Sequence, residues 1–162
     1  MIGWVLTLNR WLSNGGAVLS SVALIILIVL ILVEILGRSF FQYSTMIADE
    51  YSGYLYLSAV FFGLAYALNH ESHIRISIVT SRLGVSASRW VDVFCGLMGV
   101  ATMSVVVYYA WIFMMDTKSM DMVSEGVSQT PLYLTQIPVV VGSALLWFAL
   151  FSFTLKRLFH DR

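Results

Sequence analysis

Residues 11–33 read WLSNGGAVLSSVALIILIVLILV, and none of these 23 side chains carries a charge. An α-helix rises about 1.5 Å per residue, so about 20 apolar residues cross a hydrocarbon layer about 30 Å thick. The segment is therefore long enough to cross a membrane as one helix. Helices of a soluble protein carry charges on the face that meets water, and this segment has no such face. It predicts a membrane span.

Three further stretches, 51–70, 93–115 and 126–155, also lack charged residues. The nine basic and nine acidic residues all lie outside the four stretches, as a hydrocarbon solvent requires. Pro131 and Pro138 divide the fourth stretch, so we expect a loop and helix entrance up to about residue 137. The prediction is an all-α membrane protein with one domain, residues 1–162, and four transmembrane helices at about 12–37, 48–69, 90–115 and 137–157.

The composition excludes several other classes of protein. A content of 59% hydrophobic residues disfavours a soluble helix bundle. Transmembrane β-strands alternate between apolar and polar residues over about 10 positions, and the four stretches do not, so a β-barrel strand is excluded for them. Four helices leave no room for a soluble catalytic domain. The net charge of zero argues against nucleic acid as a partner, and the single cysteine, Cys95, cannot form an internal disulfide. The first apolar run is too long for a cleavable signal peptide, so we expect it to remain as an anchor.

The basic residues predict the orientation, because cytoplasmic connections of membrane proteins are enriched in lysine and arginine. Seven of them fall on one side of a four-span topology: Arg10, Arg75, Arg82, Arg89, Lys156, Arg157 and Arg162. Only Arg38 and Lys118 fall on the other side, where the connections are rich in acidic residues. Both termini and the connection between the second and third spans are therefore predicted to be cytoplasmic.

Short interfacial amphipathic segments are expected at two places, near the N-terminus and between the second and third spans. Tryptophan and arginine side chains prefer the depth of the lipid headgroups, where one end of the side chain stays in water. The predicted membrane anchors are Trp4, Arg10, Trp11, Arg89 and Trp90. Residues 74–83 mix helical and strand periodicities, so the second segment is predicted from its position more than from its pattern.

Few polar groups lie where transport or redox chemistry would need them. Glu34 is the one acid well inside an apparently continuous helix, and Arg38 follows it by four residues on the same face. The two side chains either pair at the headgroup boundary or reach a partner subunit; a proton-coupling carboxylate would be expected nearer the middle of its helix. The three histidines fall in connections or the tail, and no nucleophile motif, phosphate loop or metal-ligand spacing is present. We therefore expect no enzyme activity, cofactor or metal site.

Small residues recur at helical spacing in two of the predicted spans. Ala59, Gly63 and Ala67 are four residues apart in the second span, and Cys95, Gly99 and Thr102 follow a similar spacing in the third. Such stripes let another helix approach closely, within the same bundle or from a second protein. The sequence leaves both possibilities open, because lipid and a protein partner are both apolar.

The order of these features resembles the small membrane subunit of tripartite ATP-independent periplasmic (TRAP) transporters, the DctQ or SiaQ type. The resemblance is carried by Arg38, Phe41, Glu50, Tyr54, Gly63 and Ala65, then by the His-Ile-Arg-Ile run at 73–76, Thr130-Pro131, Pro138 and Gly142. It covers nearly the whole chain. Ser77 stands where the family usually has an aspartate, and Tyr133 where a tryptophan often follows the Thr-Pro step.

The resemblance implies a non-catalytic subunit of a sodium-driven importer of organic acid anions, of the sialic acid or C4-dicarboxylate class, in the bacterial inner membrane. It implies two protein partners besides the lipid bilayer: a large elevator-type membrane subunit, whose scaffold the small subunit braces, and a periplasmic substrate-binding protein that it helps to dock. The residues predicted to contact partners are Glu34, Arg38, Asp49, Glu50, Tyr54, Ala59, Gly63, Ala67, His73 and Arg75.

The alternative function is a self-contained, homo-oligomeric four-helix exporter or channel. Such a protein would need an ionisable residue near mid-membrane depth, where this sequence has none. A membrane anchor for a redox or signalling complex would instead need cofactor ligands or a docking domain.

Overall fold

The computed structural model describes residues 2–70 and 85–159 of the chain, with the side chains of 3–70 and 90–159. This part contains four α-helices: α1 (Ile2–Phe41), α2 (Ala48–Asn69), α3 (Val85–Ser119) and α4 (Leu132–Phe159). Each helix includes a segment long and apolar enough to cross a membrane. The predicted all-α membrane fold with four helices is confirmed.

The helices α1 and α3 are longer than a membrane crossing requires. α1 has 40 residues, about 60 Å at about 1.5 Å per residue, and α3 has 35. Both continue beyond the charge-free stretches at 11–33 and 93–115, so the lack of charge marks the membrane span and not the ends of the helix. The segment around Trp4 and Trp11 is thus the first part of α1, continuous with the span that follows.

The start of α4 differs from the expectation of a loop up to about residue 137. α4 begins at Leu132, immediately after Pro131, and contains Pro138. A proline lacks the N–H that would bond to the carbonyl four residues earlier, here Leu134, which lies in the first turn. The interruption therefore falls where the ladder of hydrogen bonds is only beginning. The first turn is closed by the Leu134 amide, which donates to the carbonyl of Pro131 at 3.1 Å.

α4 packs against each of the other three helices, and α1 also packs against α2. Two glycines allow the backbone of another helix to come close. A Cβ atom at Gly142 of α4 would lie 2.6 Å from the backbone carbonyl of Phe61, and one at Gly16 of α1 would lie 2.6 Å from the carbonyl oxygen of Phe62. Phe61 of α2 thus lies against a glycine of α4, and its neighbour Phe62 lies against a glycine of α1. These two contacts place α2 between α1 and α4.

The small-residue stripe of α2 is used inside the chain. Ser20 of α1 donates a hydrogen bond of 2.6 Å to the carbonyl of Ala59, and its oxygen lies 3.1 Å from a Cβ placed at Gly63. Ala59 is buried and Ala67 is half-buried. The prediction that this stripe contacts a partner subunit therefore stays a prediction, and the contact that the structure contains is with α1.

One of the three residues in the α3 stripe, Gly99, packs inside the chain, and a contact of the other two with a second protein stays a prediction. Cys95 and Thr102 are exposed, whereas Gly96 lies against Thr154 and Gly99 against Leu150 of α4. The helix is apolar all round, so residues four apart on any face fit the pattern equally well. Only the neighbouring helix decides which face is packed.

Candidate functional site

The connections 42–47 and 120–131 lie at one end of the molecule, and each is folded around a glutamate. We call this end the rim: the two connections together with the last two turns of α1, the first two turns of α2 and the last turn of α3. Five of the residues predicted to contact partners lie in it: Glu34, Arg38, Asp49, Glu50 and Tyr54. The orientation predicted from basic residues would place the rim on the periplasmic side.

Glu34 is buried, with 7% of its surface exposed, and it accepts hydrogen bonds from several donors. The guanidinium Nε of Arg38 lies 2.8 Å from one carboxylate oxygen, and the hydroxyls of Ser44 and Thr45 each donate at 2.6 Å. The backbone amide of Thr45 donates a weaker bond of 3.3 Å. The ion pair predicted from the four-residue spacing is therefore present, and the same carboxylate also holds the first connection.

The chain reverses sharply after α1 so that residues 44 and 45 can return to Glu34. Gln42 and Met46 have left-handed backbone angles, φ 48° and φ 55°, which L-residues other than glycine adopt at a cost of about 1–3 kcal/mol. The amide of Tyr43 donates to the carbonyl of Gly37 at 3.3 Å and closes the end of the helix. The hydrogen bonds to Glu34 offset the backbone cost and hold the connection in one conformation.

Arg38 links the end of α1 to the start of α2. The Nη2 atom of Arg38 lies 3.7 Å from the carboxylate of Asp49, a side chain that is almost fully exposed. Exposed ion pairs contribute little, because water screens the charges. The shorter bond between Arg38 and the buried Glu34 carboxylate is the stronger of the two contacts, and Asp49 remains available to other molecules.

Glu50 holds the second connection as Glu34 holds the first. The hydroxyl of Tyr54 donates to one carboxylate oxygen at 2.8 Å, and that of Ser128 donates to the other at 2.7 Å. Gly126 lies so close to this carboxylate that a side-chain carbon there would collide with it. Glu50 belongs to the first turn of α2, where the helix dipole favours a negative charge.

The connection 120–131 is itself a small hairpin. Val123 and Pro131 form an isolated antiparallel bridge, and the amide of Ser124 donates to the carbonyl of Thr130 at 2.9 Å. The hydroxyl of Tyr51 lies 2.9 Å from that of Thr130, so α2 contacts the hairpin at two points. The sequence did not predict this arrangement, because the residues that bond are almost 80 positions apart.

The outward surface of the rim carries exposed acidic and apolar side chains. Its exposed acids are Asp49, Asp116, Asp121 and Glu125, and its exposed large apolar side chains include Phe41, Tyr43, Met46, Met120 and Val127. Arg38 and Lys118 are the basic residues of the rim. The rim can therefore present a fixed, mainly acidic surface with apolar patches to a protein outside the membrane.

The opposite end of the molecule is held by two contacts that sequence analysis missed. Buried Asn9 donates to the side chain of Asn69 at 2.9 Å, and Asn69 donates in turn to Ser13, which joins α1 to the end of α2. Arg157 of α4 pairs with Asp92 of α3 at 3.2 Å. The spacing of Asn9 and Ser13, four residues apart near the end of a span, was the available signal.

The predicted anchors Trp4, Arg10, Trp11 and Trp90 belong to the helix segments at this opposite end. Trp4, Arg10, Trp11 and Trp90 are all exposed, as an anchor in the headgroups requires. His73 and Arg75 lie outside the described residues, and so does the side chain of Arg89. Across the described residues, no group of three histidine, cysteine or acidic side chains comes close enough to hold a metal ion.

Comparison with known proteins identifies the family to which this arrangement is similar. The family model described as tripartite ATP-independent periplasmic transporters, DctQ component, matches residues 27–160, which include both rim connections. A protein of Haemophilus influenzae, provisionally named a TRAP transporter small permease protein, is 24% identical over 148 residues. That alignment covers 91% of this chain and 87% of the relative.

Proposed function

The chain belongs to the DctQ family of TRAP transporter components, and from this premise we propose that it acts as a non-catalytic small subunit that braces a large permease subunit. Membership makes it a multi-pass protein of the bacterial inner membrane, with four helices able to span it. It also makes it a transporter component that associates with other parts of a TRAP system. The specific partners and the mechanism belong to the proposal.

One observation carries the proposal: the acids that face inward at the rim are used to hold the chain together. Glu34 and Glu50 each accept hydrogen bonds from a connection and lie near helix ends, far from mid-membrane depth. A carboxylate that couples transport to an ion gradient must bind and release that ion near the middle of its path. Carboxylates committed to structure favour a rigid brace over a self-contained exporter.

In the proposed division of labour, the large subunit carries the substrate and sodium sites and moves one domain as an elevator. The small subunit supports the immobile scaffold of that protein, so the moving domain has a fixed reference in the membrane. The substrate would be an organic acid anion, such as sialic acid or a C4-dicarboxylate, driven by a sodium gradient. The small subunit contributes stiffness through close helix packing at Gly16 and Gly142.

The rim would help to dock the periplasmic substrate-binding protein. Its two connections are held by Glu34 and Glu50, so the exposed acids and apolar side chains keep fixed positions before a partner arrives. A preorganised surface loses less conformational entropy on binding. Both termini would be cytoplasmic, and the rim would face the periplasm.

Reconstitution in liposomes tests this function. The purified chain alone should give no sodium-driven uptake of organic acids. The chain together with its large subunit and binding protein should give uptake, and omission of the chain should abolish or strongly reduce it. Uptake by the chain alone would overturn the proposal in favour of a homo-oligomeric exporter or channel. Failure of the chain to co-purify with any large membrane subunit would also overturn it.

A further inference from the structure

An open groove of about 540 Å³ lies on the outer surface of α3 and α4, lined by Ser104, Val107, Tyr108, Trp111 and Trp147. The indole nitrogen of Trp147 donates to the hydroxyl of Ser104 at 2.8 Å, and its ring stacks on Phe151 with the centroids 5.6 Å apart. One wall of the groove is therefore held in place by a bond between the two helices.

The groove lies near mid-membrane depth. The charged residues nearest to it on α3 are Asp92 and Asp116, which are 24 residues apart, or about 36 Å along the helix. Ser104 is halfway between them. Side chains of a helix lean towards its N-terminus, so the rings of Tyr108 and Trp111 lean from the rim towards the level of Ser104. The headgroups at either surface are therefore out of reach of the groove floor.

Two hydrogen-bond donors in the groove have no partner among the described residues. They are the hydroxyl of Tyr108 and the indole N–H of Trp111, and these side chains are 62% and 52% exposed. Lipid tails offer no acceptor, so a polar group that faces them stays unpaired at a cost in free energy. A protein partner with acceptors at this depth would satisfy both.

The outward face of α1 differs in composition from the exposed surface of α3. Its exposed side chains between residues 18 and 36 are the aliphatic residues Val18, Leu19, Val22, Leu24, Ile25, Ile26, Ile28, Val29, Ile31, Leu32, Val33, Ile35 and Leu36, together with Ser21. The exposed side chains of α3 include the aliphatic residues Val91, Leu97, Val105 and Val106, but also Phe94, Met98, Tyr108, Tyr109, Trp111 and Phe113. Tyrosine and tryptophan each carry a polar group that lipid tails cannot pair, whereas branched aliphatic side chains suit lipid tails.

We propose that the α3–α4 face centred on this groove binds the transmembrane scaffold of the large TRAP subunit, and that the outward face of α1 contacts lipid. A helix of the large subunit fills the groove with a bulky side chain and presents acceptors to Tyr108 and Trp111. This assignment rests on the proposed function, since it takes the large subunit as the partner.

Photo-crosslinking in the assembled complex tests the face directly. A photoreactive phenylalanine analogue is introduced in place of Tyr108 or Trp111, and in a separate variant in place of Ile26. Ile26 is the matched control: it follows Arg10 by 16 residues, as Tyr108 follows Asp92, and it is half exposed on α1. We expect a crosslink to the large subunit from α3 and none from Ile26.

Removal of the Tyr108 hydroxyl alone provides a second measurement. The variant Tyr108→Phe keeps the ring and should lower the amount of large subunit retained in mild detergent at least threefold. Tyr56→Phe is the control. Tyr56 is equally exposed, but α2 runs in the opposite direction, so its side chain leans towards the rim and its hydroxyl can reach the headgroups. Its loss should change retention little.

The outcomes separate this inference from the proposed function. If the unaltered chain retains the large subunit but crosslinks only from Ile26, the face assignment is wrong and the brace function stands. A crosslinked product of twice the mass of the chain from Tyr108 would overturn the inference in favour of a second copy. Crosslinks only to lipid from Tyr108 would overturn it as well. If the unaltered chain retains no large subunit, the proposed function itself fails.

Discussion

At the scale of single residues, Glu34 shows how one buried carboxylate organises a connection that has no regular structure. It joins Arg38 on its own helix to Ser44 and Thr45 in the next connection. Because hydrogen bonds to a charged acceptor are stronger than those to a neutral one, the negative charge matters as much as the shape of the side chain. The neighbouring acid Asp49 has only a long contact to Arg38 and is almost fully exposed.

These two acids therefore give a matched pair of variants. Glu34→Gln keeps the size of the side chain but loses the negative charge. The new amide group also places N–H hydrogens where the hydroxyls of Ser44 and Thr45 need an acceptor. We expect the thermal unfolding midpoint in detergent to fall by about 3 °C or more. Asp49→Asn should leave the midpoint nearly unchanged, because water already solvates that carboxylate. Equal effects of the two changes would contradict the role assigned to Glu34.

At the scale of helices, glycines decide which helices pack closely. Gly142 lies against the backbone of Phe61, whereas Gly15 has open space where a Cβ would be, although both are helical. The two positions separate the effect of packing from the effect of helix propensity. Alanine is favoured over glycine in a helix by about 0.5–1 kcal/mol wherever it has room.

The two glycines predict opposite results for the same substitution. Gly142→Ala should push α4 away from α2 and lower the free energy of unfolding by about 1–3 kcal/mol. Gly15→Ala should leave stability unchanged or raise it by up to about 1 kcal/mol. Unfolding of the purified variants in mixed micelles, followed by circular dichroism, measures both. A stable Gly142→Ala protein would mean that the approach of the two helices is not tight.

At the scale of the whole molecule, the rim and the opposite end differ in charge, and this difference should set the topology. Reporters that are active only in the periplasm should give signal when fused within 120–131 and none when fused to either terminus. The physical reason is the retention of lysine and arginine on the cytoplasmic side. Signal from a terminal fusion would reverse the rim assignment and, with it, the docking proposal.

The acidic surface of the rim should affect the encounter with the binding protein more than the assembly of the membrane complex. The combined change Asp121→Asn, Glu125→Gln removes two exposed charges and should lower uptake roughly threefold when binding protein is limiting. Excess binding protein should restore uptake, and co-purification with the large subunit should be unchanged, which serves as the control. Uptake that is indifferent to the change at every concentration would rule out this docking surface.

Part of the site could be predicted from residues that are close together in the sequence, and the rest could not. The ion pair between Glu34 and Arg38 could be predicted because residues four apart on a helix are neighbours in any fold. The bond between Glu50 and Ser128 could not, because it joins residues 78 positions apart whose proximity depends on how α2 and α4 pack. The same limit applies to α3, where the spacing of small residues did not reveal that Gly96 meets α4 while Cys95 is exposed.

By itself, the sequence determined that this is a membrane protein with four helices, where those helices roughly lie, and which charges flank them. These properties follow from runs of apolar residues, and the cost of burying a charge in hydrocarbon acts on each run separately. Only the tertiary structure decided that α4 contacts each of the other three described helices, that two glutamates hold the rim connections, and that Ala59 and Gly63 face α1. A helix that is apolar on every side gives no signal of its packed face, since lipid and protein are equally favourable neighbours for carbon.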